Sequence, residues 1–246
     1  MDNHNSATAI QGRGLEQGQE GERQYSKTNA YTQRASFEQV LTIILFVVIT
    51  ALFSTFVTSA AVAIGSEILW ILVGLTYALL LLICYDYCFL TCSDPVDDLI
   101  LKIKREHQEG DLLFCRDCNS QVHSKSHHCR KCNRCSEHFD HHCKYLNNCI
   151  GGKNYQPFLR MLLSVTAYCL AIIGESAWVF VADSQDPQLS ILSRWGALAT
   201  LIITAIALVA VDSLLCFHFY LIFWLKSTTL EYIRSLPDSE EERRPG

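Results

Sequence analysis

Charged residues are scarce in this sequence, at 18% of 246 residues, while hydrophobic residues make up 50%. The hydrophobic residues are also clustered. A helix needs about 20 mostly apolar residues to cross a bilayer, and four runs reach that length, at about residues 40–60, 68–90, 158–181 and 197–225. So short a chain could not bury four such segments on all sides, which argues against a soluble protein. We therefore predict a polytopic membrane protein.

Basic residues are almost absent from two of the three connections between these runs. The connections at about 61–67 and 182–196 hold only Arg194, whereas the other 19 of the 20 Lys and Arg residues lie in the two tails and the middle loop with its border. Cytosolic loops carry the excess of Lys and Arg. This distribution predicts that both tails and the middle loop are cytosolic. Endomembranes and the plasma membrane both fit, and we favour the ER and Golgi.

No hydrophobic run lies in the first 38 residues, so no secretory signal peptide is predicted. This segment is polar and rich in Gln, Asn, Gly and Ser, which is typical of disordered tails. We divide the chain into a disordered cytosolic tail (1–38), transmembrane helices 1 and 2 (39–90), a cytosolic cysteine-rich domain (91–157), transmembrane helices 3 and 4 (158–225) and a cytosolic C-terminal tail (226–246).

Cysteine, in contrast, is abundant. Seven of the 12 cysteines lie between Cys115 and Cys149. The cytosol is reducing, so clustered cysteines there indicate metal binding or catalysis rather than disulfides. Two C-x-x-C pairs begin at Cys115 and Cys129, and such a pair lets two thiolates bind one zinc from a tight turn.

A 14-residue repeat supplies the remaining ligands. The pattern C-x2-C-x9-H-x6-C occurs twice, with its ligands at Cys115, Cys118, His128 and Cys135, and again at Cys129, Cys132, His142 and Cys149. We predict two structural Zn²⁺ sites, each closed by three cysteines and one histidine. A loop of scattered cysteines without metal is the alternative, and the double match argues against it. A RING domain would need a further C-x-x-C pair after Cys149.

The predicted fold class is thus an all-α polytopic membrane protein. It has four transmembrane helices and a small cytosolic two-zinc domain between helices 2 and 3. Basic residues among the ligands, at Arg130, Lys131 and Arg134, also occur in nucleic-acid-binding domains. Beside a membrane they are better suited to lipid phosphates or an acidic cofactor. We therefore predict the lipid bilayer, and no nucleic acid, as a partner.

The two ligand sets use six of the seven cysteines between Cys115 and Cys149, and the remaining one is Cys143. A third C-x-x-C pair would need a cysteine at position 146, which is Leu146. Asp140 and His141 precede Cys143, and the residue at the position of Asp140 in the first copy is Ser126. An imidazole can take the proton of a thiol, and a carboxylate can orient that imidazole. We predict a nucleophile (Cys143) with a base (His141) and an orienting acid (Asp140). Alternatively, Asp140 supports a zinc-bound histidine and Cys143 fills space.

The tetrad Asp140-His141-His142-Cys143 within this repeat resembles the DHHC protein S-acyltransferases, also called palmitoyltransferases. The resemblance covers about residues 38–236, and further motifs of that family match at Asp94-Pro95, Asn148-Cys149-Ile150-Gly151, Asn154, Phe158 and Thr228-Thr229-Leu230-Glu231. Three departures are Val96 in place of a glycine, Tyr145 in place of a tryptophan, and the missing proline-rich approach at 123–127.

This resemblance implies a two-step transfer. Cys143 would take a fatty acyl group from acyl-CoA and pass it to cysteines of membrane-associated proteins. Palmitoyl is the expected acyl group. His141 would be the base, Asp140 would orient it, and zinc would be a scaffold. Candidates to face CoA phosphates or lipid head groups are Lys102, Lys104, Arg105, Lys144, Lys153 and Arg160. The alternative is a zinc-stabilised membrane scaffold or adaptor with little or no acyltransferase activity.

Polar residues inside the hydrophobic runs are few. Glu175 and Asp212 lie within the third and fourth runs, where carboxylates are costly, so we expect both to face the bundle and to hydrogen-bond. Cys84, Cys88 and Cys92 share one face near the end of the second run. We expect them to pack against neighbouring helices, and their acylation is the alternative.

Overall fold

The computed structural model describes residues 29–30, 34–101, 112–183 and 191–236. Four helices are long and apolar enough to cross a membrane: α1 (Phe37–Ile64), α2 (Glu67–Cys92), α4 (Tyr155–Asp183) and α5 (Ile191–Leu225). There are also two short helices. Helix α3 (Asp98–Leu101) precedes the first hairpin of the cysteine-rich domain, and helix α6 (Thr229–Ser235) follows α5. The chain is an integral membrane protein, and the predicted fold class is confirmed.

Each membrane helix begins before the predicted hydrophobic run, and in α1 and α2 side-chain capping sets these starts. The Ser36 side chain accepts a hydrogen bond from the backbone N–H of Gln39 at 3.1 Å and so starts α1. Gly65, with φ of 64°, ends that helix in the left-handed conformation that glycine adopts without strain. Ser66 then caps α2. Only two residues therefore connect the first two spans.

Polar contacts join the membrane helices inside the bundle. The Thr76 hydroxyl of α2 donates to Glu175 Oε1 of α4 at 2.6 Å, and the Thr166 hydroxyl of α4 donates to Asp212 Oδ1 of α5 at 2.9 Å. The expectation for both carboxylates is confirmed. The expectation for the cysteines of α2 is wrong, since Cys84, Cys88 and Cys92 are exposed on the bundle surface.

The cysteine-rich domain refines the all-α description, because it consists of three antiparallel β-hairpins. They pair β1 (Leu112–Cys115) with β2 (Ser120–His123), β3 (His127–Cys129) with β4 (Arg134–Ser136), and β5 (His141–Cys143) with β6 (Asn148–Ile150). In each turn an asparagine adopts positive φ, at Asn119 (46°), Asn133 (51°) and Asn147 (49°). Asparagine tolerates this conformation better than most residues. The 14-residue repeat therefore forms three hairpins, although a complete Cys3His ligand set occurs only twice.

The segment after α2 ties this domain to the bundle. Asp94 Oδ1 lies 2.6 Å from Arg134 Nη1, and Arg134 is only 1% exposed, so this cation supports the fold rather than meeting lipid. Val96 is 2% exposed and packs in a cluster with Ile100 and Val122 beneath the first hairpin. Its apolar side chain fills that core, which gives the departure from glycine a structural role.

The end of the N-terminal tail contacts the third hairpin. Ala30 is buried, and its backbone N–H donates to the Thr91 carbonyl at 2.9 Å. The Asn147 amide donates to the carbonyls of Ala30 and Arg34 at 3.2 and 3.3 Å. Most of the predicted disordered tail lies outside the described residues. The domain boundaries remain predictions, with α1 starting at Phe37.

Candidate active site and zinc clusters

The eight predicted zinc ligands form two separate clusters. In each cluster the four ligand atoms lie within 4.8 Å of one another, and the members are Cys115, Cys118, His128 and Cys135, and Cys129, Cys132, His142 and Cys149. The strand register explains this closeness, because His128 lies opposite Cys135 and His142 lies opposite Cys149. Each C-x-x-C turn of the preceding hairpin then supplies two further thiols.

The spacing of these atoms fits a tetrahedral zinc ion. Zinc bond lengths of about 2.3 Å to sulfur and about 2.1 Å to nitrogen require edges of about 3.8 Å between sulfurs and about 3.6 Å between sulfur and nitrogen. In the second cluster, His142 Nδ1 lies 3.7, 3.4 and 3.7 Å from the sulfurs of Cys129, Cys132 and Cys149. In the first cluster, the sulfurs of Cys118 and Cys135 are 3.8 Å apart. Both clusters could hold zinc, which would crosslink successive hairpins.

Cys143 belongs to neither cluster. It occupies in the third hairpin the position that Cys129 has in the second, but Leu146 stands where a second thiol would be needed. Cys143 is 4% exposed and packs among Leu90, Ile150 and Phe158. The thiol therefore lies where the cysteine-rich domain meets the ends of the membrane helices.

The three residues predicted for catalysis are in contact. His141 Nδ1 lies 2.6 Å from Asp140 Oδ2, and Cys143 lies close enough to His141 to interact electrostatically with its ring. Because His141 and Cys143 end the same short strand with one residue between them, their side chains lie on the same face of the hairpin. The arrangement is that of a thiol next to an imidazole held by a carboxylate.

Asp140 is itself fixed by a residue after the last membrane helix. The backbone N–H of Thr229 donates to Asp140 Oδ1 and the Thr229 hydroxyl donates to Oδ2, both at 2.8 Å. A capping box between Thr228 and Glu231 starts α6 and so holds Thr229 in place. The sequence showed this motif, but its contact with Asp140 could not be read from spacing.

The electrostatics of the pair follow from these contacts. Burial alone would lower the pKa of His141, but the hydrogen bond to Asp140 and the neighbouring Cys143 raise that pKa to about 9. Burial would raise the pKa of Asp140, and the hydrogen bonds from His141 and Thr229 outweigh it and hold that pKa below its usual value. At neutral pH this pair is therefore a carboxylate and an imidazolium, next to the Cys143 side chain.

A comparison with protein families settles which family this constellation belongs to. The family model of the DHHC palmitoyltransferases matches residues 108–236, just over half of the chain. The chain belongs to the DHHC palmitoyltransferase family. No curated protein matches the chain significantly in sequence. The matched region contains both zinc clusters, the Asp140-His141-Cys143 set and Thr229.

The residues that follow Cys143 in the DHHC domain hold the third hairpin in place. The Asn148 amide donates to the carbonyls of Leu90 and Ser93 at 2.9 Å each, which ties the third hairpin to the end of α2. Gly151 has no room for a side chain, because a Cβ there would lie 2.6 Å from the Glu137 carbonyl oxygen. Tyr145, the second departure from the family pattern, is exposed and away from these contacts.

Two residues near the DHHC site were missed by the sequence analysis. His218, near the end of α5, is 1% exposed and lies beside His141. The Tyr155 hydroxyl at the start of α4 lies 3.2 Å from His218 Nδ1. A histidine in an otherwise apolar run was the available signal, but the run itself does not show which helix face meets the third hairpin.

A cavity of about 720 Å³ opens next to Asp140 and Tyr155. Three cations lie on its wall, namely Lys125, Lys226 and Arg234. The cations proposed from the sequence are placed differently. Lys102, Lys104 and Arg105 lie outside the described residues, whereas Lys144, Lys153 and Arg160 pair with Glu38, Asp98 and Asp86.

Proposed function

We propose that this DHHC protein is a protein S-acyltransferase. It moves a long-chain fatty acyl group from acyl-CoA to cysteines of membrane-associated proteins, and palmitoyl is the acyl group that we propose. The observation that carries the proposal is the series of hydrogen bonds from Thr229 through Asp140 to His141, with Cys143 next to the His141 ring and interacting with it. Every other cysteine of the three hairpins, within residues 112–150, lies in a Cys3His cluster.

The transfer proceeds in two balanced steps. The Cys143 thiolate attacks the carbonyl carbon of the acyl-CoA thioester, the bond from that carbon to the CoA sulfur breaks, and CoA leaves with a proton from His141. A substrate cysteine then gives its proton to His141 and attacks the acyl-enzyme, which releases the Cys143 thiolate. Asp140 keeps the imidazole oriented in both steps. Zinc, when bound, holds the hairpins together.

The position of Cys143 suits an amphipathic donor. A long acyl chain gains about 0.8 kcal/mol for each CH₂ group that leaves water, and the apolar neighbours Leu90, Phe158, Leu162 and Leu215 lead from Cys143 into the bundle. We assign the CoA phosphates to the cavity wall with Lys125, Lys226 and Arg234, because charged phosphates are best bound by cations at the aqueous side.

The orientation of the protein is part of the same proposal. The bias of 19 of 20 Lys and Arg residues supports cytosolic tails and a cytosolic zinc domain. Acyl-CoA and the cysteines of cytosolic protein faces are then on the same side as Cys143. We keep the ER and Golgi membranes as the proposed location.

One experiment tests the function. The purified wild-type protein and the Cys143→Ser variant are incubated with labelled palmitoyl-CoA, and each labelled thiol is located by mass spectrometry. We expect a hydroxylamine-labile label on Cys143 in the wild type and none at position 143 in the variant. The matched control is Cys216→Ser, which removes an exposed cysteine of α5. A wild-type protein without label on Cys143 would contradict the proposal and favour the adaptor.

A further inference from the structure

His218 is a buried polar residue that the two-step scheme does not use. One nitrogen of His218, one nitrogen of His141 and a carboxylate oxygen of Asp140 lie within 4.8 Å of one another. We infer that His218 is a positioning residue for acyl transfer, which holds the His141 imidazole in place toward Cys143. This inference rests on the proposed acyltransferase function and assigns a role in it to α5.

The His141 ring is enclosed by two other rings. The centroids of His141 and His218 are 5.6 Å apart, and Phe158 of α4 contacts both of them edge-on, at 5.4 Å from His141 and 5.0 Å from His218. The carboxylate of Asp140 holds His141 at one nitrogen only. The neighbouring rings therefore restrict the tilt of the imidazole, which a single hydrogen bond leaves open.

The polarity of His218 has a specific partner. The Tyr155 hydroxyl lies 3.2 Å from His218 Nδ1, so the rotation of the His218 ring is fixed by a hydrogen bond and not by packing alone. A buried polar ring without such a partner would be costly. Tyr155 starts α4 and His218 lies near the end of α5, so the bond also joins these two membrane helices beside Cys143.

The same stretch of α5 connects to the support of Asp140. Phe217, next to His218, packs edge-on against Tyr232 of α6 with centroids 5.7 Å apart. Helix α6 begins at Thr229, which holds Asp140. Helix α5 therefore supports Asp140 indirectly, through α6, and contacts His141 through His218. Misplacement of a catalytic group by about 1 Å can cost about 100-fold in rate, so this double support has a measurable consequence.

The test compares His218→Ala with His218→Gln. Glutamine keeps an amide that can hydrogen-bond to Tyr155, whereas alanine leaves both Tyr155 and the His141 ring without their neighbour. We expect His218→Ala to lower the maximal single-turnover rate of Cys143 acylation by about 10- to 100-fold with little change in KM for palmitoyl-CoA. His218→Gln should recover most of that loss, and Tyr155→Phe should show an intermediate loss.

A second readout does not depend on acyl-CoA. The rate at which iodoacetamide alkylates Cys143, measured at that site by mass spectrometry, reports how well His141 faces the thiol. We expect it to fall in His218→Ala and to recover in His218→Gln, with zinc content and melting temperature unchanged. Cys216→Ala, on the exposed face of α5, is the matched control and should behave as wild type.

The outcomes separate the two proposals. If the wild type is not acylated but the alkylation rate still depends on His218, the positioning role stands and the acyltransferase proposal fails. If His218→Ala matches the wild type in alkylation, or if glutamine is no better than alanine, the positioning role fails. A lower zinc content or a lower melting temperature in both variants would assign His218 a role in folding and would also overturn the positioning role.

Discussion

The second and third hairpins of the zinc domain have the same backbone and different chemistry. Cys129 and Cys143 end the first strand of their hairpins, and each turn continues to an asparagine at positive φ, Asn133 or Asn147. Cys129 meets the sulfurs of its zinc cluster, whereas Cys143 meets Leu146 and other apolar side chains. The repeat thus supplies the position of a cysteine, and its neighbours decide what the cysteine can do.

The histidines that precede these cysteines show the same contrast. His127 lies beside Arg234, and burial together with this cation lowers the pKa of His127. His141 is partly buried as well, which by itself lowers its pKa, but the Asp140 carboxylate and Cys143 raise that pKa to about 9. The residue at the position of Asp140 in the first copy is Ser126, which donates to Asp97 instead. The exchange of serine for aspartate, together with Arg234 beside His127 and Cys143 beside His141, therefore separates the two histidines.

The largest expected effect separates Cys129→Ser from Cys143→Ser. Loss of one ligand should remove a zinc ion and with it folding free energy on the order of 10 kcal/mol, so Cys129→Ser should fall below two zinc ions per chain and become sensitive to protease. Cys143→Ser should keep both zinc ions and the wild-type digestion pattern. Elemental analysis and limited proteolysis measure this. Equal zinc loss in both variants would show that Cys143 is a ligand.

Asp140→Asn should lower the rate of Cys143 acylation by about 10²- to 10⁴-fold, because the amide cannot hold the imidazole as a carboxylate does. Single-turnover labelling with palmitoyl-CoA measures the rate, and zinc content should be unchanged. The matched control is Ser126→Ala, at the corresponding position one repeat earlier, which should have little effect on acylation. A similar loss in the control would contradict the distinction between the hairpins.

Thr229→Val should cost less, since it removes the hydroxyl that donates to Asp140 Oδ2 and keeps the backbone N–H that donates to Oδ1. Loss of one hydrogen bond to a charged group is worth about 1.5–3 kcal/mol, which corresponds to acylation slower by about 10- to 160-fold. Thr229→Ser retains the hydroxyl and should stay near the wild-type rate. If valine and serine act alike, the hydroxyl does not support Asp140.

The smallest effect compares Asn147→Gly with Asn133→Gly. Glycine adopts positive φ without strain at both positions, but only Asn147 donates to the carbonyls of Ala30 and Arg34. We expect Asn147→Gly to lower the free energy of unfolding by about 1 kcal/mol and Asn133→Gly to change it little. Thermal unfolding of the two purified variants measures the difference. Equal stability would mean that the tail contact contributes nothing.

Much of the fold was predictable from local patterns. The four spans followed from run length, because hydrocarbon imposes a minimum of about 20 apolar residues. Both Cys3His clusters followed from the 14-residue repeat, because tetrahedral ligation of a metal needs given residue types at given spacings. The helix ends were less predictable, since capping by Ser36 and Gly65 adds polar residues beyond the apolar run.

The contacts around Asp140, His141 and Cys143 could not be predicted in the same way. His218 and Tyr155 lie in different membrane helices, and their bond depends on how α4 and α5 pack. The cations Lys153 and Arg160 were plausible phosphate ligands by charge, and the structure pairs them with Asp98 and Asp86 instead. Ion pairs between distant segments depend on which surfaces meet, and spacing along the chain carries no information about that.

The sequence by itself determined which of the seven cysteines between Cys115 and Cys149 lies outside the two Cys3His sets. Ligand counting in a repeat is a local rule, and it singles out Cys143 with Asp140 and His141 before it. Only the tertiary structure decided how that set is held, through Thr229 from the segment after α5 and through the rings of Phe158 and His218. These supports come from residues far apart in the chain, and only the packing of the membrane helices brings them to the third hairpin.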